Sequence, residues 1–227
     1  MIKKVLVLAT CMVFLLTGAA QAEYLYLESS GADFTGVTIH DPALAPAATA
    51  GTTAGRFTVD FGPSSSDFQK YQAFCVDYAN VYFTTAYNSY FMIDLPGELA
   101  YKRAAYIYEN FAYANPSAAQ LAIWEVVFEG LSGGSVGDLE TADKFYGTNI
   151  NAQDLADAQS YVTAAVANGA NFSNTSAYKL LVSPSATTSG YYGVNEQDFL
   201  VRVPEPGVLT LLGLGLVALG ITRRRSK

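Results

Sequence analysis

Two apolar segments, residues 5–16 and 207–222, stand at opposite ends of the 227-residue chain and confine any soluble core to the stretch between them. Lys3 and Lys4 precede the first, and Ala20-Gln21-Ala22 follows it. A basic start, a short apolar run and a small-x-small site make the pattern of a secretory signal peptide over residues 1–22. The run is too short to span a bilayer. No cysteine stands at the cut, so lipid attachment there is not expected. Cleavage after Ala22 removes Cys11 and leaves Cys75 as the one thiol of the mature chain.

The second apolar segment follows Val203-Pro204-Glu205-Pro206 and runs into Arg223-Arg224-Arg225. Its 16 residues fall below the length of a comfortable membrane-spanning helix, about 20 residues. The arginines would hold the tail on the cytoplasmic side. Pro204-Glu205-Pro206, a short Leu/Gly-rich helix and a basic tail, in that order over residues 203–227, resemble the PEP-CTERM sorting signal of Gram-negative bacteria. The resemblance implies an exosortase partner at the inner membrane and a precursor anchored transiently by the C-terminal transmembrane helix. It further implies removal of the tail near Pro-Glu-Pro and delivery to the cell surface or extracellular matrix, commonly with exopolysaccharide or biofilm material.

Between these ends, residues 23–203 hold seven Lys/Arg against nineteen Asp/Glu, a net charge of −12. Nucleic acid is an improbable partner for such a body, because phosphate contacts need clustered cations. His40 is the lone histidine and falls in an expected surface loop, which argues against a histidine-based triad or metal centre. Asp138, Glu140 and Asp143 are spaced loosely and signal calcium only weakly. No metal and no cofactor are expected.

The body reads as strands, then helices, then strands. Residues 24–27 and 56–61 alternate apolar and polar, residues 71–78 and 81–93 continue in aromatic-rich strands, and residues 62–67 form a turn. Residues 41–55, small and Pro-containing, read as a loop. Helical periodicity covers residues 98–113, a second helix starts at Asn115-Pro116, and a third covers residues 152–167. Gly130 lies near the stop of the second helix, and a short helical piece is expected around residues 138–145. Residues 178–182 and 198–203 close the body as strands. The fold class is α+β, a single domain with N- and C-terminal strands around a helical middle.

Two residues in this body need an explanation. Cys75 shares a strand face with Tyr71, Ala73 and Asp77, a face too polar for a plain core. An exported protein meets oxidising conditions, so an unpaired cysteine is buried and inert, bridged to a second chain, or engaged in internal chemistry. Gln120 lies one turn before Ile123 and Trp124 on the apolar stripe of the second helix. A buried amide without partners costs about 1–3 kcal/mol. Thiolate attack on the Gln carbonyl, with loss of ammonia, would account for both residues.

Phe74-Cys75-Val76-Asp77, the helix around Ala105-Tyr106-Ile107-Tyr108, and Ala119-Gln120-Leu121-Ala122-Ile123-Trp124 resemble the thioester domain of bacterial surface adhesins. The resemblance spans residues 71–127, with Ala119 standing where the family usually has Thr. It implies a thioester between Cys75 and Gln120, with Ile123 and Trp124 as packing residues. Asp77, two residues after Cys75, reads either as a supporting proton relay that orients the site or as a solvent-facing strand carboxylate. It also implies covalent adhesion to a surface or matrix glycan or protein bearing an amine or hydroxyl, by one-shot chemistry without enzymatic turnover. The alternative is a non-covalent structural component of the exopolysaccharide or biofilm matrix. A glycan-active enzyme, third, would need a carboxylate pair across a cleft.

Overall fold

Along β4 (Phe57–Ser64) the side chains of Phe57, Val59 and Phe61 turn to one face. Their cross-strand partners are Ala73, Tyr71 and Gln69 on β5 (Asp67–Cys75), and Val59 and Phe61 also oppose Leu27 and Leu25 on β1 (Glu23–Glu28). Residues opposite one another on a ladder share a face. The same face continues through Cys75, Phe199 and Leu181, which lie opposite one another on β5, β9 (Phe199–Arg202) and β8 (Tyr178–Val182). With β6 (Asn88–Asp94) the strands close into a barrel in the order β1-β4-β5-β9-β8-β6, completed by pairing of β6 with β1. Rings meet across its interior: Phe57 and Phe199 lie edge-on with centroids 6.0 Å apart.

The computed structural model describes residues 23–28, 35–41, 48–64, 66–77, 88–139, 146–183 and 197–203. The signal peptide, the Pro204-Glu205-Pro206 motif, the C-terminal apolar helix and Arg223–Arg225 lie outside the described residues. Among the described residues no helix is long and apolar enough to cross a membrane. Residues 81–87 of the expected aromatic strand and residues 140–145 of the expected helical piece also lie outside them, while Asp138 and Leu139 are not helical.

The turn between β4 and β5 is tighter than expected, because both strands run into the 62–67 stretch. Gly62 makes this possible. A Cβ there would sit 2.0 Å from the Asp67 carbonyl oxygen, beside a register shift between Phe61 and Ser64. Only glycine lets the two backbones approach so closely.

Residues 41–55 are not simply a loop. They contain β3 (Ala48–Ala54), which pairs along its length with β2 (Thr35–Asp41); β2 also pairs with β7 (Tyr146–Thr148) to form a second sheet. His40 therefore lies on a strand, opposite Thr49 and Tyr146. Alanine, glycine and threonine in β3 give no alternation to read. The strand forms because Val37 and Ile39 of its partner are buried and the ladder needs both edges.

Three helices cover the barrel: α1 (Leu99–Phe111), α2 (Pro116–Ser132) and α3 (Ala152–Asn168). Asn115 caps α2 by accepting the Ala118 N–H at 3.2 Å, and its Nδ2 reaches Asp154 Oδ1 and Asp157 Oδ2 on α3 at 2.9 and 2.8 Å. One asparagine thus starts one helix and ties it to the next. Helix α2 passes Gly130 and ends at Gly133, whose φ of 75° suits a left-handed cap. Gly130 instead marks close packing, since a Cβ there would lie 3.0 Å from Ala100 Cβ.

Every residue from Ser117 to Glu129 is buried, so α2 is the central helix rather than an amphipathic surface one. Two acids sit in it. Glu125 accepts the Gly137 N–H at 2.8 Å. Burial pushes its carboxyl up to about 7, with the negative charges of Glu129 and Asp138 adding to the rise and the Gly137 and Asp138 amides opposing it. A raised acid binds its proton more tightly in the folded state. Its contribution is complete below the ordinary value of 4.5 and is lost as pH rises through about 7. The urea midpoint is therefore expected to be higher near pH 5 than near pH 8, and Glu125→Gln should shrink that difference.

Candidate functional site

In β5 the even-numbered residues exchange backbone hydrogen bonds with the β9 side, as the Val76 N–H to Asp198 O bond of 3.0 Å shows. The N–H and C=O of Cys75 therefore face the β4 side. There β4 has already ended, its last pair being Phe57 with Ala73. Gln120 fills the vacancy. Its Oε1 accepts the Cys75 N–H at 2.8 Å, and its Nε2 donates to the Cys75 carbonyl at 2.8 Å. The glutamine amide acts as one further peptide unit of the missing strand, and both residues are fully buried.

This pairing has a chemical consequence. It sets the Gln120 side-chain carbonyl against Cys75, with its oxygen already on a backbone N–H. A donor so placed stabilises the oxyanion that forms when a nucleophile adds to the carbonyl carbon. Cys75 is also too enclosed to bridge two folded chains. Burial pushes its thiol well up, and the charge of Asp77 adds to the effect. The sulfur accordingly waits as a protonated thiol.

Asp77 is not the solvent-facing strand carboxylate that its position could suggest. It is 1% exposed, and Tyr71, Ala73 and Cys75 on the same strand are buried as well, so the face expected to be too polar for a core belongs to the core. Asp77 tolerates burial because the segment leading into β9 lies over it. Its Oδ2 accepts the Asp198 N–H at 3.0 Å, and its backbone carbonyl accepts from Gln197 Nε2 at 2.9 Å and from Trp124 Nε1 at 3.2 Å. Its Oδ1 is buried without a hydrogen-bond partner. Burial, then the charge of Asp198, push the carboxyl well up, against the pull of the Asp198 amide. A buried carboxyl with one unengaged oxygen thus stands two residues from the thiol.

Trp124 and Gln120 project from one face of α2, one turn apart, and each engages the backbone at the end of β5. Ile123 is fully buried beside them in the core. The tryptophan is therefore a hydrogen-bonding anchor as well as packing. Sequence reasoning missed Tyr90, Ser183, Gln197 and Asp198. Tyr90 Oη donates to the Gln197 carbonyl at 2.7 Å, and the Ser183 N–H donates to Asp198 Oδ1 at 2.8 Å. The only hint was a polar Gln-Asp pair directly before an apolar strand. Among the described residues no three His, Cys, Asp or Glu side chains gather to hold a metal; Glu140 and Asp143 lie outside them.

The chain's end decides its address. Residues 202–225 match the PEP-CTERM protein-sorting motif. The motif indicates an exported, membrane-processed protein and implies processing by an exosortase. It begins at Arg202, the last residue of β9, so the sorting signal starts where the barrel ends. No curated protein matches the chain. Two solved structures from Streptococcus pyogenes are similar to it. The N-terminal domain of the pilus tip adhesin Cpa has a TM-score of 0.46 and 11% identity, covering 83% of this chain and 97% of that one. The N-terminal thioester domain of the fibronectin-binding protein SfbI has a TM-score of 0.43 and 13% identity, covering 83% of this chain and 100% of that one.

Proposed function

We propose that the exported body is a covalent adhesion module whose working part is an internal thioester between Cys75 Sγ and Gln120 Cδ. The observation that carries this reading is the paired hydrogen bonding of the Gln120 amide to the Cys75 backbone. In the forming step sulfur adds to Cδ, the Cδ–Nε2 bond breaks, and the thiol proton leaves with the nitrogen as ammonia. Asp77, with Oδ1 unengaged, relays that proton, and the Cys75 N–H holds the oxyanion. Full burial keeps water from the ester.

In the spending step, which requires the fold to open over the fully buried Cδ, an amine or hydroxyl on a surface or matrix glycan or protein attacks it. The carbon–sulfur bond breaks, the target becomes acylated, and Cys75 recovers a thiol with the target's proton. Each molecule reacts once, so the protein is not an enzyme. The second reading takes the same two hydrogen bonds as structural: Gln120 finishes a strand edge, and the protein serves the exopolysaccharide or biofilm matrix without covalent chemistry. Methylamine separates them. Peptide mapping after methylamine treatment is expected to place a methylamide on Gln120 and a newly alkylatable thiol on Cys75. An unlabelled Gln120 in chains shown not to have hydrolysed favours the second reading.

A further inference from the structure

Met92, Leu181, Phe199 and Cys75 lie opposite one another on β6, β8, β9 and β5 and form one layer of the barrel interior. Side chains alternate along a strand. The next inward positions, towards the end where β5 and β8 stop and β6 and β9 begin, are therefore Tyr90, Ser183, Gln197 and Asp77. None of these four is more than 4% exposed. The apolar interior thus ends in a polar layer, one step beyond the thiol.

Tyr90 fastens this layer. Its ring packs against Phe199 with centroids 6.3 Å apart, and its hydroxyl donates to the Gln197 carbonyl at 2.7 Å. Gln197 in turn donates from Nε2 to the Asp77 carbonyl at 2.9 Å. A chain of bonds therefore crosses from β6 to the end of β5. The layer is nevertheless incompletely paired: Gln197 Oε1 and Asp77 Oδ1 are both buried without a hydrogen-bond partner. Buried acceptors are normally satisfied, and two left open on touching residues suit a guest that brings N–H or O–H donors. An amine or a hydroxyl is such a guest. The α2 flank of the site has a different character, because both amide atoms of Gln120 are engaged and Asn115 ties the start of that helix to α3.

We propose that this polar layer is the entrance through which the target's nucleophile reaches the Cys75–Gln120 bond, with Tyr90 as its latch. The purpose of the entrance rests on the thioester reading, but the passage leads to Cys75 whether or not the bond has formed. Opening it releases one tyrosine hydroxyl and the short backbone segment at Gln197. Opening the other flank displaces a helix buried from Ser117 to Glu129, a far larger unit.

The test is the rate at which small reagents reach the site in the folded mature protein, without denaturant. Methylamine reads chains that carry the bond, by release of the Cys75 thiol. Iodoacetamide reads chains that do not, by alkylation of Cys75. Tyr90→Phe keeps the ring and loses the bond to the Gln197 carbonyl; it should raise whichever rate applies by about fivefold, the equivalent of one ordinary hydrogen bond. Asn115→Ala loosens the α2 flank and should leave that rate unchanged. Absence of the thioester moves the readout from methylamine to iodoacetamide and leaves the expected difference between the two variants standing. An unchanged rate in Tyr90→Phe, or an equal rise in Asn115→Ala, overturns the entrance and leaves the ammonia-loss result standing.

Discussion

Replacing Gln120 with alanine is expected to abolish ammonia loss and, relative to chains whose Gln120 amide is still intact, to lower stability by about 2–6 kcal/mol. The stability loss follows from geometry alone. The substitution strands the Cys75 N–H and carbonyl in a fully buried position, and each unsatisfied group costs about 1–3 kcal/mol. Against a total of about 5–15 kcal/mol that is a large fraction. Gln120→Glu provides the milder variant, since a neutral carboxyl can accept from the Cys75 N–H and donate to its carbonyl. It should sit between wild type and Gln120→Ala in denaturant midpoint and retain a free thiol. The midpoint reports the strand-end role and the mass reports the bond. A Gln120→Ala protein with the midpoint of unreacted wild-type chains contradicts the hydrogen-bond pairing itself.

Asp77→Asn should divide stability from chemistry in the opposite sense. Asparagine keeps the shape and an oxygen for the Asp198 N–H, and it removes a carboxyl that burial and Asp198 both disfavour in its charged form. Stability is expected to stay within about 1 kcal/mol of wild type or to rise. Bond formation should slow by a factor on the order of 100–10,000, the usual worth of a positioned acid–base group. The check is the fraction of chains lacking ammonia at successive times after refolding. Formation at the wild-type rate would remove Asp77 from the mechanism.

How much of this was legible in the sequence depended on how locally each feature is encoded. Asn115-Pro116 announced the start of α2 because a cap and a first-turn proline act within four residues. Gln120 could be turned inward from the positions of Ile123 and Trp124 on the same helix face. Cys75 was placed on its strand by alternation. That the two meet came from the resemblance and from needing an explanation for each, and the structure brings them together across 45 positions.

The environment of Asp77 was beyond local reading. Its partner Asp198 lies 121 positions away, and nothing in a strand pattern says that a carboxylate will be roofed by the segment leading into β9. Strand β3 was missed for a different reason. Its alanines, glycine and threonines carry no hydrophobic signal, and its existence follows from the ladder with β2.

The account rests on a covalent bond between two side chains, and the intact mass of the exported body, measured natively and after methylamine, tests it most directly. The predicted native mass is lower than that of the processed sequence by one ammonia, with Cys75 unreactive to alkylation. Methylamine should then add one equivalent at Gln120 and expose one thiol. A native mass equal to that of the processed sequence, with Cys75 alkylating freely on unfolding and Gln120 recovered as glutamine, contradicts it.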